Sequence, residues 1–295
     1  MKDDFINLET EKVRKKNINK SNTVPTLVDD FILEYDGISS ALKKNRKKIS
    51  KAVSTFTDVF SSGGSIYFIG AGTSGRLGVL ESSECPPTFG TDPKRIISIM
   101  AGGKSAVFKS KEGAEDSLTN STKDLRAKNY NKNDLLIGIS ASGKSEYVLS
   151  AIKFAKSIKS KTILISCNKI KKNISDLDII LNVGPEFVAG STRLKSGTAT
   201  KNVLNIITTV SMMKLEKIYK NMMIDISPST RKLKARLIRN LSNILDINQK
   251  KAIGLLEKSR WSIRIALIMN KMEVSYKRAK ILSEEISIAE ILDEK

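Results

Sequence analysis

Five short apolar segments in the middle of the chain constrain its fold more than any other feature of the sequence. The segments are rich in β-forming residues and cover residues 65–72, 95–103, 134–143, 161–168 and 178–184. Stretches of helix length lie between or after them and cover residues 74–84, 106–128, 145–159 and 198–220. Because a continuous apolar run buries both of its faces, this alternation predicts an α/β fold with a doubly wound, mostly parallel sheet.

The residues before and after this region have helical patterns. Apolar residues follow approximate helical spacing near the N-terminus, at Val28, Phe31, Ile32, Ile38 and Leu42. A further helix over residues 46–60 is expected to end at the following glycine pair, and three or four short amphipathic helices are expected after Pro228. The predicted parts are an N-terminal arm with a helix, a central α/β domain and a small helical domain, over residues 1–45, 46–225 and 226–295.

The formal net charge of +20 at first suggests a nucleic-acid partner. Basic nucleic-acid binders usually concentrate Lys and Arg in one stripe and place aromatic residues among them. In this chain the lysines are spread along the sequence, and only 5% of the residues are aromatic. The charge therefore favours small anionic molecules over nucleic acids as partners, and a basic nucleic-acid binder stays open as an alternative.

Other features of the composition limit the cellular compartment in which the protein is expected and the residues that can perform acid–base chemistry. No run approaches the roughly 18 consecutive apolar residues of a membrane helix, and the opening residues MKDDFINLETEK mix both charges without an apolar core. The two cysteines, Cys85 and Cys167, make neither a disulfide framework nor a metal cluster. We expect a cytoplasmic protein with no membrane partner. Because the chain has no histidine, acid–base chemistry falls to carboxylates, Lys, Tyr or Cys.

Two strand-to-helix loops share a Gly/Ser-rich pattern, in YFIGAGTSGRLGVL and in LIGISASGKSEYVL. Open α/β sheets bind ligands outside the carboxyl ends of their strands, and the N–H groups at a helix N-terminus favour an anion. Neither loop completes a dinucleotide fingerprint or a Walker A sequence. We predict that both loops bind a phosphate group, with serine-capped turns that hold no ligand as the alternative. The best-placed residues are Thr73, Ser74 and Gly75 in the first loop and Ser140, Ser142, Gly143 and Ser145 in the second.

Two glutamates near these loops are candidate acid–base groups. Glu84 lies in ESSECPPTFG, where Pro86 and Pro87 predict the end of the preceding helix. A carboxylate at that end can point into the site, although a surface glutamate is the simpler interpretation. The residues alone do not single out Glu115, because the acids of KEGAED equally suit the first turn of a helix.

The segment VGPEFVAGSTRLKSGTATKNVLN, residues 183–205, is unusually rich in small polar residues for a plain loop. Its turns lead to Arg193 and Lys195 and then to a Thr-rich helix start. Basic side chains at that place suit a phosphate or a carboxylate.

Four motifs in order resemble those of one family. GAGTSGRLGVLESSECPPTFG, AGG followed by EGAED, GISASGKSEYV and GPEFVAGSTRLKSGTATKNVLN are similar to the motifs of N-acetylmuramic acid 6-phosphate etherases. That family belongs to the sugar isomerase (SIS) superfamily and is similar to the animal glucokinase regulatory protein. The resemblance implies an SIS-type, sugar-phosphate-binding catalytic domain over residues 46–225 and, as SIS enzymes commonly form, a homodimer.

The resemblance also implies a carbon–oxygen lyase that takes a small-molecule sugar phosphate and needs no metal or cofactor. Enzymes of the family cleave the D-lactyl ether of N-acetylmuramic acid 6-phosphate, which gives N-acetylglucosamine 6-phosphate and D-lactate in amino-sugar catabolism and peptidoglycan recycling. The open-chain aldehyde acidifies the C2 proton, a base removes that proton, lactate leaves from C3, and water then adds. By likeness, Glu84 in SECPP is the acid that protonates departing lactate, and Glu115 in GAED is the base.

The predicted binding residues come from the two loops and the segment after the last strand. They are Gly72, Thr73, Ser74, Gly75, Arg76, Ser140, Ser142, Gly143, Ser145, Ser191, Arg193 and Lys195. Two further functions stay open: a sugar-phosphate isomerase, which also uses a carboxylate base at C2, and a sugar-phosphate-sensing regulator without catalysis. The two glutamates favour the etherase, because expelling an ether oxygen requires an added acid.

Overall fold

The computed structural model describes residues 5–15, 18–19, 21–170 and 174–292. Contacts divide the chain into two compact units, Met1–Ser82 with Lys94–Thr209, and Ser83–Pro93 with Val210–Lys295. The predicted boundary at residue 45 falls inside a continuous helix, and the predicted boundary at residue 225 falls inside the second unit. The division into three parts therefore stays a prediction, and part of its N-terminal arm lies outside the described residues.

A five-stranded parallel sheet forms the centre of the first unit. Its strands are β1 Ile66–Gly70, β2 Ile96–Met100, β3 Leu135–Ile139, β4 Lys161–Ser166 and β5 Leu177–Ile180. They pair in the order β2-β1-β3-β4-β5, and every neighbouring pair is parallel. The predicted strand regions and the predicted doubly wound α/β class are confirmed.

Helices cover both faces of this sheet. Those that begin before residue 200 are α1 Val24–Leu33, α2 Tyr35–Ser61, α3 Gly72–Phe89, α4 Ser105–Phe108, α5 Asn120–Ala127, α6 Glu146–Ser157 and α7 Lys195–Lys214. On one face, Tyr67 and Ile69 of β1 pack in a buried cluster with Val148 and Ile152 of α6. Because side chains alternate along a strand, Phe68 points to the other face, where its Cβ lies against Gly78 of α3.

Two consecutive prolines lie inside α3, which corrects the expectation that this helix ends near Glu84. The helix continues to Phe89, and the N–H of Gly90 donates to the carbonyl of Pro86 over 2.9 Å. Proline has a fixed φ that fits a helix, and its cost is the missing N–H together with crowding of the carbonyl four residues earlier. Glu84 therefore lies within a helical turn and is exposed.

Three other expected helices differ in extent from the structure. The amphipathic stretch over 28–42 divides into α1 and α2 at Glu34, and the stretch over 106–128 divides into α4, a 3-10 turn over Ala114–Asp116 and α5. The stretch over 198–220 stops at Lys214 and is followed by a small hairpin, β6 Ile218–Tyr219 with β7 Met222–Met223. Lys220 and Asn221, at the hairpin turn, have φ of 43° and 64°, the left-handed conformation of a type I′ turn.

The second unit contains a helical bundle at the C-terminal end of the chain. Among the described residues it has five helices rather than the three or four expected: α8 Arg231–Leu245, α9 Gln249–Lys258, α10 Ile263–Met272, α11 Tyr276–Glu285 and α12 Ile288–Ile291. A Ser, Thr or Asn side chain caps the N-terminus of each one. Their apolar faces share one buried cluster that includes Leu237, Leu256 and Leu267. Within the described part of the chain, no helix has the length and apolar character required to cross a membrane.

A glycine makes the close approach between β1 and α3 possible, and its replacement tests that contact. A methyl group on Gly75 would lie 2.7 Å from the carbonyl oxygen of Gly70 and 2.9 Å from Met100 Cγ. Helix propensity favours alanine over glycine by about 1 kcal/mol, but the backbone oxygen cannot move away without distorting the strand. We expect Gly75→Ala to reduce the free energy of unfolding by about 1–3 kcal/mol, a typical overpacking cost.

Thermal and urea unfolding of Gly75→Ala, compared with Gly254→Ala, checks this expectation. Gly254 lies in α9, and a methyl group there meets no atom within 4 Å. The same substitution should therefore stabilise α9 by up to about 1 kcal/mol. A Gly75→Ala protein as stable as the unsubstituted chain would contradict the tight packing of α3 on β1.

Candidate active site

The strand order places both Gly/Ser loops at the same point of the sheet edge. β1 pairs with β2 on one side and with β3 on the other, and Gly70 is in register with both Met100 and Ile139. The connections that leave β1 and β3 cross to opposite faces of the sheet, which opens a crevice between them beyond the carboxyl ends of the strands. Ligands of doubly wound sheets bind at such a crevice, so the topology itself selects these two loops.

A cleft with a volume of about 260 Å³ lies at this crevice. It brings together seven of the residues predicted from sequence, Gly72, Thr73, Ser74, Glu115, Ser140, Ser142 and Ser145. The other lining residues are Phe5, Glu11, Ala71, Ile139, Ala141, Gly190 and Thr192. Small residues and hydroxyls therefore dominate the walls, with two carboxylates among them.

Hydroxyl groups hold the second loop in shape through hydrogen bonds to its own backbone. The buried Ser140 hydroxyl accepts hydrogen bonds from the N–H groups of Gly143, over 3.1 Å, and Ser145, over 3.4 Å. The Ser142 hydroxyl accepts one from the N–H of Lys144, over 3.1 Å. Gly143 has a φ of +71°, which a side chain rarely adopts, so its role is to turn the chain rather than to line the cleft. The loop is thus preorganised at the N-terminus of α6.

The first loop is held by its contact with β1 and by an arginine. Gly72, with a φ of +53°, opens α3, and Thr73 and Ser74 follow in its first turn. The Arg76 guanidinium donates to the carbonyl oxygens of Val107 over 2.8 Å and Ala106 over 2.9 Å. Arg76 thereby fixes α4 and lines a neighbouring cavity of about 170 Å³ rather than the cleft.

Glu115 lines both the cleft and this neighbouring cavity. It lies on the 3-10 turn Ala114–Asp116, and the Ser145 hydroxyl donates to its carbonyl oxygen over 3.3 Å. Partial desolvation raises the pKa of the Glu115 carboxyl above the ordinary value of a glutamate, and the negative charges of Asp116 and Glu112 raise it further. A carboxylate with a raised pKa is a better proton acceptor than an ordinary glutamate.

Glu84 and Glu115 belong to different compact units. Glu84 lies on the part of α3 assigned to the second unit with residues 83–93, and Glu115 lies in the first. Their cooperation in one reaction therefore stays a prediction from family likeness.

The segment after β5 contributes to the cleft through different residues from those expected. Gly190 and Thr192 line the cleft, whereas their neighbours Ser191 and Arg193 are not part of its lining. Lys195 is buried, and its ammonium group forms an ion pair with the carboxylate of Glu34. It lines a separate cavity beside α1, so its assignment to the substrate stays a prediction.

Two glutamates that the sequence analysis did not select have distinct places in the structure. The fully buried Glu186 accepts hydrogen bonds from the N–H groups of Lys195 and Ser196, each over 2.9 Å, and so caps the N-terminus of α7. That helix end already holds a carboxylate and is not available to a phosphate. Glu11 lines the cleft, although nothing in its local sequence marks it as a site residue.

The raised pKa of Glu115 leads to a titration experiment. Because Asp116 and Glu112 both raise it, we expect Asp116→Asn and Glu112→Gln each to lower this pKa. The double variant should still leave it above an ordinary glutamate, because desolvation is the largest cause. NMR titration of side-chain-labelled glutamate measures the value directly, and Asp29→Asn on α1 makes the same charge change outside the cleft lining.

The same shift has a consequence for stability. A carboxyl whose pKa is higher in the folded than in the unfolded state favours folding below the unfolded-state pKa, and that contribution is lost as the pH rises through the folded-state pKa. Asp116→Asn should therefore make stability less sensitive to pH in this range. A Glu115 pKa at or below that of a free glutamate would contradict the assigned environment.

Comparison with known proteins agrees with this fold. Residues 48–156 match the family described as the Glucokinase regulatory protein N-terminal SIS domain. A protein of Escherichia coli CFT073, solved as a ligand complex, shares the fold with a TM-score of 0.51 and 17% identity, over 69% of this chain and 96% of its own.

Curated relatives at much higher identity carry one name. The chain is 40% identical to N-acetylmuramic acid 6-phosphate etherase of Clostridium beijerinckii, over 98% of this chain and 96% of the relative. It is 39% identical to the etherase of Staphylococcus epidermidis, over 92% of this chain and 93% of the relative. It is 44% identical to etherase 2 of Vibrio cholerae, over 79% of this chain and 76% of the relative. This chain belongs to the N-acetylmuramic acid 6-phosphate etherase family.

Proposed function

We propose that this chain cleaves the D-lactyl ether of N-acetylmuramic acid 6-phosphate, giving N-acetylglucosamine 6-phosphate and D-lactate. The observation that carries the proposal is the cleft at the β1/β3 crevice, where a glutamate of raised pKa lies beside two Gly/Ser loops. The etherase names of relatives that match nearly the whole chain support it. An etherase of this kind acts in the breakdown and recycling of cell-wall amino sugars.

The two loops are the proposed phosphate site. α3 and α6 begin at the cleft, and the positive ends of their dipoles attract an anion. The hydroxyls of Thr73, Ser74 and Ser142 supply further donors, and small residues allow the ligand to approach the backbone. The net charge of +20 adds a long-range attraction for a doubly charged phosphate.

Glu115 is the proposed base of the elimination step. In the open-chain sugar the aldehyde acidifies the C2 proton, and the Glu115 carboxylate takes it. The electron pair of that C–H bond becomes the C2–C3 double bond as the C3–O bond to lactate breaks. Glu84, assigned by likeness, gives its proton to the departing lactate oxygen. Water then adds at C3 and C2 regains a proton, so the net reaction is hydrolysis of the ether.

A sugar-phosphate isomerase would use the same cleft and the same base. It moves a proton between C1 and C2 and does not need an acid at C3, so Glu84 would have no chemical role. A regulator without catalysis would need neither glutamate. Both glutamates have a chemical role in the etherase reaction, and lactate release distinguishes that reaction from each alternative.

A homodimer and a cytoplasmic location belong to the same proposal. SIS enzymes commonly pair, and α1 presents Val24, Val28 and Ile32 at spacings of four residues with 50–73% of each exposed. A stripe of this kind on a helix is a candidate contact with a second copy. Sedimentation of the chain and of Val28→Lys measures the assembly directly.

Incubation with N-acetylmuramic acid 6-phosphate in ¹⁸O-labelled water tests the reaction. We expect release of D-lactate and incorporation of the label at C3 of N-acetylglucosamine 6-phosphate, because water adds after elimination. Label in lactate instead would indicate cleavage on the other side of the ether oxygen. An absence of lactate under conditions in which the folded protein binds the substrate would eliminate the etherase proposal.

Substitution of the two glutamates separates their roles. In D₂O, Glu84→Gln should still exchange the C2 hydrogen for deuterium while lactate release falls by about 10²–10⁴-fold, the usual value of one acid–base group. Glu115→Gln should lose both exchange and lactate release. Glu257→Gln, exposed on α9 and absent from the lining of the cleft and of the neighbouring cavity, is the control and should retain both. Unchanged lactate release by Glu84→Gln would show that Glu84 is not the acid of the reaction.

A further inference from the structure

The N-terminal segment before α1 forms part of the wall of the cleft. Leu8 and Thr10 are buried, and a 3-10 turn covers Glu9–Glu11. Phe5 and Glu11 from this segment line the cleft together with the two loops. The segment lies outside the strands of the central sheet, and two of its side chains reach the cleft.

Hydrogen bonds to the N–H, hydroxyl and carbonyl groups of Thr10 anchor the segment. The Thr10 N–H donates to Asn168 Oδ1 over 3.4 Å, and Asn168 Nδ2 donates to the Thr10 hydroxyl over 3.0 Å. The Gly190 N–H donates to the Thr10 carbonyl over 2.8 Å. Asn168 Nδ2 also donates to the carbonyl of Ala141, over 2.9 Å, so Asn168 bridges this segment and the second Gly/Ser loop. The backbone next to Glu11 is therefore fixed relative to the cleft.

This anchoring brings a carboxylate to the cleft. Glu11 Oε2 lies 2.7 Å from the position that a Cβ on Gly190 would occupy, so the absence of a side chain there leaves room for the carboxylate. Glu9, on the same 3-10 turn, has a different environment: it accepts a hydrogen bond from Lys12 Nζ over 2.6 Å and does not line the cleft. Of these two neighbouring acids, only Glu11 faces the proposed substrate.

A carboxylate is an unfavourable neighbour for the anionic groups of the substrate. It repels a phosphate or the lactyl carboxylate, whereas it accepts a hydrogen bond from a neutral hydroxyl. Its hydrogen bonds are stronger than those between uncharged groups. A cleft whose lining includes both the helix N-termini and this carboxylate therefore discriminates between the phosphate and the neutral hydroxyls of a sugar phosphate.

We propose that Glu11 is a specificity-determining residue that accepts a hydrogen bond from a hydroxyl group of the bound sugar. It thereby orients the sugar with its phosphate on the two loops and its anionic substituents away from Glu11. This inference rests on the proposed function for the identity of the sugar, but it requires only that the cleft binds an amino-sugar 6-phosphate.

Binding of two ligands to Glu11→Ala tests the inference without any turnover. N-acetylglucosamine 6-phosphate probes the phosphate and the sugar together, and inorganic phosphate probes the loops alone. By titration calorimetry we expect Glu11→Ala to bind the sugar phosphate about 10–100-fold more weakly, because a hydrogen bond to a charged group is lost. Inorganic phosphate should bind equally or more tightly, because a repulsive charge has been removed.

Two further variants keep the test independent of folding effects. Glu11→Gln preserves the size of the side chain and should weaken the sugar phosphate less than Glu11→Ala. Glu9→Gln makes the same charge change on the same turn and should leave the binding of both ligands unchanged. A parallel loss of both ligands in Glu11→Ala would show that Glu11 only supports the wall of the cleft, and unchanged sugar-phosphate binding would overturn the proposed contact.

Kinetics separate this inference from the proposed reaction. If the unsubstituted chain releases lactate, Glu11→Ala should raise KM for N-acetylmuramic acid 6-phosphate by a similar factor to the loss in binding. If the unsubstituted chain releases no lactate but binds the sugar phosphate through Glu11, the etherase proposal fails and the role of Glu11 stands.

Discussion

The parallel pairing of β1 with β2 on one side and β3 on the other is the constraint on which the site depends. It forces the connections after β1 and β3 to diverge, and it places two helix N-termini at one crevice. Gly75 then allows α3 to approach β1 closely enough for its first turn to reach the cleft. The Ser140 hydroxyl, which accepts from two loop N–H groups, shapes the facing turn. The proposed anion site is thus a consequence of strand order and of a few small residues.

The cleft combines the positive ends of the α3 and α6 helix dipoles with two carboxylates. Glu115 gains basicity from partial desolvation and from acidic neighbours, and the hydroxyl of Ser145 contacts its backbone carbonyl. Glu11 reaches the same cleft from a segment that is distant in sequence. A phosphate on the loops, a base at the carbon to be deprotonated and an acceptor for a sugar hydroxyl would together fix one orientation of the substrate. Such positioning is a large part of how enzymes lower a reaction barrier.

The sheet and the position of the two Gly/Ser loops at its strand ends could be predicted from the sequence because their signals are local. Each strand is a continuous apolar run, and each loop places its small residues at a strand end. Glu11 could not be found in this way, because it reaches the cleft through the contact of Thr10 with Asn168, 158 residues away. Lys195 is a different case: this basic residue in a promising segment is paired with Glu34 on a distant helix, and its assignment to the substrate stays a prediction. Local patterns identify elements, whereas side-chain partners are decided by tertiary packing.

Two corrections concern the predicted course of the backbone. The α3 helix continues through Pro86 and Pro87, and the fixed φ of proline is compatible with a helix. The hairpin after α7 turns on Lys-Asn in place of the usual Asn-Gly.

The crevice between β1 and β3 is the proposed binding site for the phosphate of the substrate. A crystal structure with N-acetylglucosamine 6-phosphate tests this assignment. The phosphate should accept hydrogen bonds from the first turn of α3 and from the loop that leads into α6, with a sugar hydroxyl against Glu11. A phosphate bound beside Lys195 or Arg193, with the crevice empty, would contradict the account.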